Sequence, residues 1–319
     1  MDFLKRSFQI PIDTGENVKN SFHWQLMPPS SGWHRLLKSC FCALSRNRLF
    51  SIGAAGQATG RGPELTGLLT EADGSPVAVE NADASGQLLL VCEHASRLLP
   101  EKMGSLGLSE EALASHIAWD PGALAVSKLL VESLDAALIH QRFSRLIYDC
   151  NRPPEADAAM PAVSEIFQIP GNAAISPAER LARTQALYFP FRDELSDFIA
   201  ARKANGRLPV LVTMHTFTPV YHGKQRDVEI GILHDRDSRF ADAMLAAAEK
   251  TPRYAVRRNE PYGPADGVTH TLIEHGLKNG LPNVMIEIRN DLVKNEIGQK
   301  VMADYLTGLL GESLVALSL

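Results

Sequence analysis

The chain has 319 residues, 45% hydrophobic and 22% charged, with four cysteines and a net charge of −5. That balance excludes global disorder, a collagen-like repeat and a disulfide scaffold, and it offers no global basic field for nucleic acid. No apolar run reaches the roughly 18 residues that cross a bilayer, and the start, MDFLKRSFQIPID, has no signal-peptide core of 7–15 apolar residues.

Residues 1–60 hold seven Lys/Arg and three acids, a net of +4, so residues 61–319 carry −9. Residues 1–65 show no sustained periodicity and little apolar surface to offset ordering entropy, so they read as a weakly ordered basic extension. A targeting segment and a start placed too far upstream are the alternatives. Cys40 and Cys42 lie too close for an ordinary bridge and lack the two-residue gap of a zinc knuckle. Cys92 and Cys150 sit in apolar runs and read as buried thiols, in keeping with a reducing, cytoplasmic compartment.

From residue 66 the texture changes. QLLLVCEHAS is a continuous apolar run ending in polar residues, a buried strand delivering side chains to its end. SEEALASHIAW opens a helix with Ser109 as N-cap, and PGALAVSKLLVESL is a second with Pro121 near its start. AALIHQRF and RLIYDC read as neighbouring strands. After a polar loop of about twenty residues, a helix runs from Ser176-Pro177 past Pro190, which should kink it. LPVLVTMHTFTP, VEIGILHD and YAVRRN are further strands, and THTLIEHGLKNG is a helix closed by Gly280. LPNVMIEIRND is another core strand, and NEIGQKVMADYLTGLLGESL is the last helix. Strands alternating with helices predict one α/β domain with a mostly parallel sheet over 66–319.

In such sheets ligands bind beyond the carboxyl ends of the strands. Several apolar runs here end in ionisable residues: Glu93 and His94, Asp149 with Asn151 and Arg152, His215, and Glu287 with Arg289; Asp120 stands in AWDPGA. Each has a structural reading of its own. A histidine can close a strand through a hydrogen bond, Asp120 can cap the following helix, Asn151-Arg152-Pro153 can be turn chemistry, and Glu287 and Arg289 can be a surface pair. Together they place charge repeatedly at buried strand ends, which is costly unless the charges are paired or hold a metal. No Gly-x-Ser-x-Gly, Walker A or strand-linked Gly-x-Gly-x-x-Gly is present, so serine hydrolysis and nucleotide binding are disfavoured.

The set CEHAS, HIAWDPGA, SRLIYDCNRP, VTMHTFTP and VMIEIRND, in that order over about residues 85–315, resembles the N-formylglutamate amidohydrolase family, related in fold to zinc carboxypeptidases and aspartoacylases. The resemblance implies a three-layer α/β fold with a mixed, mostly parallel sheet of zinc-exopeptidase (phosphorylase/hydrolase-like) type. It implies a metal, zinc first and cobalt, manganese or iron as alternatives, on His94, His215 and a carboxylate. Carboxypeptidases take that carboxylate three residues after the first histidine, where this chain has Arg97. Asp120 is favoured instead and Glu93 is the runner-up, since neighbours in a strand face opposite ways. His116 could join as an outer partner of the site. His222, His234 and His270 read as loop residues and His275 as structural.

Glu287 resembles the general base, Asn151-Arg152 the pair that holds a substrate carboxylate, and Arg289 a second candidate for that task. The implied reaction is metal-dependent hydrolysis of an N-acyl amino acid, N-formyl-L-glutamate first. A small-molecule substrate, no nucleic acid and no membrane are expected, and the oligomeric state stays open. A related amidohydrolase or carboxypeptidase on another acylated acidic amino acid or small peptide, or a metal-free binding relative, are the alternatives.

Overall fold

The computed structural model describes residues 67–319; the extension expected over 1–65, with Cys40 and Cys42, lies outside the described residues. In chain order the strands are β1 (Val77–Glu80), β2 (Leu88–Cys92), β3 (Ala137–Gln141), β4 (Val163–Ser164), β5 (Phe167–Gln168), β6 (Val210–Phe217), β7 (Val220–Tyr221), β8 (Lys224–Gln225), β9 (Ile230–Leu233), β10 (Val256–Arg258) and β11 (Asn283–Arg289). The α-helices are α1 (Glu110–Ala114), α2 (Ala123–Leu134), α3 (Pro177–Arg183), α4 (Phe189–Ala204), α5 (Arg239–Lys250) and α6 (Glu296–Ala316). Seven strands form one sheet in the order β1-β3-β2-β6-β11-β9-β10, while β4-β5 and β7-β8 are small hairpins. The pairs β3-β2, β2-β6, β6-β11 and β9-β10 are parallel, and β1-β3 and β11-β9 are antiparallel.

The inner strands β2, β3, β6, β9 and β11 are buried on both faces, which is why they read as apolar runs. In β2, Leu88, Leu90 and Cys92 join one core cluster with Val126 of α2, Phe240 of α5 and Leu306 of α6. Leu89 and Val91 face the other, with Phe191, Leu195 and Ile199 of α4. The same alternation runs through β6 and β11, so the domain has the expected three layers: helices, mixed sheet, helices. Cys92 and Cys150 are free and buried. No helix among the described residues is long and apolar enough to cross a membrane.

Three local readings are refined. Residues 145–150 are turns rather than a strand, because β1 already occupies the free edge of β3. There Ser144 Oγ donates to Ala118 O at 2.6 Å, and Ile147 and Tyr148 are buried without joining the sheet. The helix begun by Ser176, whose hydroxyl accepts from Glu179 N, breaks into α3, a wide π turn over Thr184–Tyr188, and α4. Pro190, in the first turn of α4, has no N–H to give, and the wide turn absorbs the lost bond. THTLIEHGLKNG forms a π turn and a 3₁₀ turn before Gly280, at φ +67°, ends it.

Candidate active site

The parallel strands β2, β6 and β11 end at one edge, and register decides what meets there. Val91 pairs with Thr213, and Met285 with Thr213, so two residues on, Glu287 stands opposite His215. His215 and Glu287 share the face of Leu211 and Met285 by the period-2 rule. β2 stops at Cys92, and Glu93 and His94 lie in the turn that follows. Both can therefore turn toward the cluster, which a continued strand would forbid.

Asp120 arrives from the loop before α2. Its N–H donates to His94 O at 2.9 Å. It does not cap α2, whose N-cap is Gly122 with no side-chain bond. Its Oδ2 accepts from Thr216 N at 3.2 Å, fixing it between the ends of β2 and β6. Gly122 makes this path possible. At φ +87° it occupies the left-handed region, and a Cβ there would lie 2.6 Å from Val293 Cγ2 and 2.8 Å from Val293 O.

The three residues meet at single atoms. His94 Nδ1 lies 3.3 Å from Asp120 Oδ2, His215 Nδ1 lies 3.0 Å from the same oxygen, and the two Nδ1 atoms are 3.2 Å apart. All three residues are buried. The far ring nitrogens face carboxylates: His94 Nε2 is 2.7 Å from Asp149 Oδ1, and His215 Nε2 is 3.2 Å from Glu93 Oε2, too bent for a strong hydrogen bond. A carboxylate at Nε2 favours the Nε2–H tautomer, leaving each Nδ1 lone pair aimed inward. Three acceptors then converge with no donor between them.

Such a triangle is what a cation fills. With bonds of about 2.0–2.1 Å, the edges of a tetrahedral zinc site are about 3.3 Å. The residues therefore fit a metal, and the two outer carboxylates fit the partners that orient ligating histidines. Without a cation, protons must supply the positive charge. Burial opposes that for both histidines, yet Asp149 and Asp120 raise the pKa of His94, and Glu93 and Asp120 raise that of His215 well above its usual value. Asp120 is held below the usual carboxylate range despite its burial, chiefly by His94 and His215. Glu93, the runner-up ligand, sits behind His215 as its partner.

Glu287 is 5% exposed and its Oε2 has no hydrogen-bond partner. Burial pushes its pKa up to about 7; His215 opposes and Asp120 reinforces the rise. With His94, Asp120 and His215 it lines a cavity of about 520 Å³, within the range of small-ligand sites.

The other expected residues divide. Arg152 lines the cavity; its Nη1 donates to Asp266 O at 2.9 Å and its Nε lies 4.0 Å from Asp149 Oδ2. Asn151 also borders it, but its amide is engaged by backbone: Nδ2 donates to Val268 O at 2.6 Å, and Oδ1 accepts from Thr271 N at 3.0 Å. Arg289 is not among the lining residues. Its Nε donates to Asp291 Oδ1 at 2.8 Å and its Nη1 to Arg226 O at 3.3 Å. His116 lines the cavity 2.9 Å from Glu165 Oε2. His270 lies 2.8 Å from the Tyr188 hydroxyl, and the buried His275 has its pKa lowered to about 4 by burial.

Sequence reasoning missed Arg145 and Arg226. Arg145 Nη2 donates to Asp149 Oδ2 at 2.6 Å and its Nη1 lies 3.6 Å from Asp120 Oδ1. Its signal was the i, i+4 spacing from Asp149 in SRLIYD. Arg226 follows a two-residue strand and carries no local signal.

The sequence model of the N-formylglutamate amidohydrolase family matches residues 86–294. The chain belongs to that family. The amidohydrolase domain resembles a solved gene product of Agrobacterium tumefaciens, with 61% identity over 79% of this chain and 100% of that one, at a TM-score of 0.78. The N-formylglutamate amidohydrolase of Ralstonia eutropha shares 17% identity over 75% of this chain and 97% of its own, at a TM-score of 0.52, and so shares the fold. A comparison with curated proteins gives no match.

Proposed function

We propose that this amidohydrolase cleaves the amide bond of an N-acyl amino acid in a metal-dependent reaction, with N-formyl-L-glutamate as first substrate and formate and L-glutamate as products. The observation that supports it most is the meeting of three buried acceptor atoms beside a carboxylate held near neutrality. His94, Asp120 and His215 would hold the metal, zinc before cobalt, manganese or iron. When bound, such an ion supplies a Lewis acid that polarises the scissile carbonyl and acidifies the attacking water.

The chain's own groups do the rest. Asp149 and Glu93 hold the imidazoles in one tautomer and orientation. Glu287, poised near pH 7, takes the proton of the attacking water and returns it to the leaving amine. Arg152 presents a planar fork to a substrate carboxylate, and Asn151 fixes the backbone of residues 268–271 beside it. The cavity wall shields these charges from bulk water and so strengthens them.

Zinc-reconstituted protein is tested for metal content and for release of formate, acetate or succinate from the corresponding derivatives of Glu, Asp, Gln and His. About one metal per chain and formate from N-formyl-L-glutamate are expected. No metal after reconstitution removes the metal reading. Preference for another acyl group reassigns the substrate within the same chemistry. The reaction is assigned to residues 66–319, so a chain beginning at residue 66 should match the full chain in turnover; an inactive but folded product gives the extension a role.

A further inference from the structure

Four guanidinium groups occur at or beside the site, and they differ in what they have already spent. Arg145 is bonded to Asp149 at 2.6 Å. Arg152 gives one N–H to Asp266 O and has Asp149 nearby. Arg289 is paired with Asp291 and Glu229. Arg226 also lines the cavity, yet it has no ion pair among the described residues. Its Nη1 makes one long bond to Thr218 O at 3.3 Å.

Its surroundings are aromatic. The Arg226 Cζ lies 4.5 Å from the centroid of Tyr221, 4.8 Å from Tyr262 and 5.5 Å from Phe217. Rings tolerate a guanidinium because it is weakly hydrated and its charge meets their negative faces. They also strip water from it, which strengthens any anion it meets. The chain builds this position with care. Arg226 N donates to Pro219 O at 2.8 Å, closing the β7-β8 hairpin, and Arg289 Nη1 holds the Arg226 carbonyl. An unpaired, ring-lined, backbone-anchored guanidinium facing a small-molecule cavity is built to receive a planar anion bidentately.

We propose that Arg226 is the specificity-determining anchor for the side-chain carboxylate of the substrate, so that the enzyme selects acidic acyl-amino acids over their amide and apolar analogues. This rests on the reading of the cavity as a hydrolase site, in which Arg152 takes the other carboxylate. Two guanidinium anchors would give a preference for a dicarboxylate, which one anchor would not. Arg289 acts here as a positioning residue for Arg226, contacting its backbone rather than substrate.

The test separates binding from turnover. Calorimetry measures L-glutamate and L-glutamine on the zinc-loaded wild type, Arg226→Gln and Arg226→Lys, and formate release compares N-formyl-L-glutamate with N-formyl-L-glutamine. The wild type is expected to bind glutamate the more tightly, and Arg226→Gln to reduce that preference by roughly 10–100-fold, the scale of one lost charge-assisted pair. The same collapse should appear in the ratio of kcat/KM for the two formyl derivatives. Arg226→Lys keeps the charge without the fork and should fall between; it carries the test if the glutamine variant does not fold. Equal binding of both amino acids by the wild type, no glutamate binding, or a preference that survives in both variants overturns the assignment. Wild type that binds glutamate selectively but releases no formate instead overturns the hydrolase reading and leaves Arg226 standing.

Discussion

Replacing Glu287 with Gln should stabilise the metal-free protein, and the gain should grow with pH. Burial raises the carboxyl from its ordinary 4.5 to about 7 in the folded chain, and its Oε2 lacks a partner. The sign follows from linkage. Below pH 4.5 the group is protonated in both states and adds no ionisation difference. Between 4.5 and 7 the unfolded chain loses the proton first, so stability falls as pH rises; above 7 the full cost is present. The shift corresponds to about 3 kcal/mol at pH 8, since one pKa unit is about 1.4 kcal/mol. Gln mimics the neutral acid and escapes this cost. Urea unfolding of the wild type and Glu287→Gln, both stripped with chelator, should show a difference that climbs from pH 5 to pH 7 and then levels. Zinc favours the ionised carboxylate and should shrink it. A difference that stays flat from pH 5 to pH 8 would refute the view that desolvation holds Glu287 near neutrality.

Asp149→Asn removes the charge behind His94 and should weaken zinc binding by roughly 10–100-fold in a chelator competition; unchanged affinity would show that Asp149 does not orient the ligand. Arg152→Ala should raise KM for a dicarboxylate substrate by roughly 10–100-fold with a smaller change in kcat, and a variant with normal KM and kcat would move the anchor elsewhere. Gly122→Ala must push a Cβ against Val293 from a left-handed backbone; it should cost about 2–4 kcal/mol in urea unfolding, and a normal midpoint would show that the loop gives way freely.

What the sequence made legible follows physical range. Buried parallel strands need apolar residues on both faces, so β2, β6 and β11 stand out as runs, and the polar residues closing them mark the site edge. His94, Asp120, His215 and Glu287 were readable on that basis together with the family resemblance. Residues 145–150 were misread because an apolar run shows burial, not whether a sheet edge is free, and β1 had taken that edge. Arg226 was invisible for a related reason: its position depends on a two-residue strand and on rings from the end of β6, from β7 and from the loop holding Tyr262. Arg289 drew attention as the charged end of a core strand, but local charge goes first to the nearest partner, here Asp291.

The charge balance of the cluster ties these observations together. Glu93, Asp120 and Asp149 are buried, and each is held in or below the ordinary carboxylate range, so each carries a negative charge at neutral pH. Arg145 is bonded to Asp149 and lies 3.6 Å from Asp120 Oδ1, and Arg152 Nε lies 4.0 Å from Asp149 Oδ2. With neutral imidazoles, three carboxylates face two guanidinium groups, both of them on the Asp149 side, so the Glu93 and Asp120 end is short of positive charge. Buried negative charge without a partner is costly. In the metal-free chain the two raised histidines can make up the deficit by taking protons. A divalent cation would supply positive charge there while leaving both imidazoles as neutral ligands, so its binding would displace protons. The fourth buried carboxylate, Glu287, stands outside this balance, and its environment keeps it near neutrality. That difference separates the group suited to move a proton from the groups suited to hold a metal.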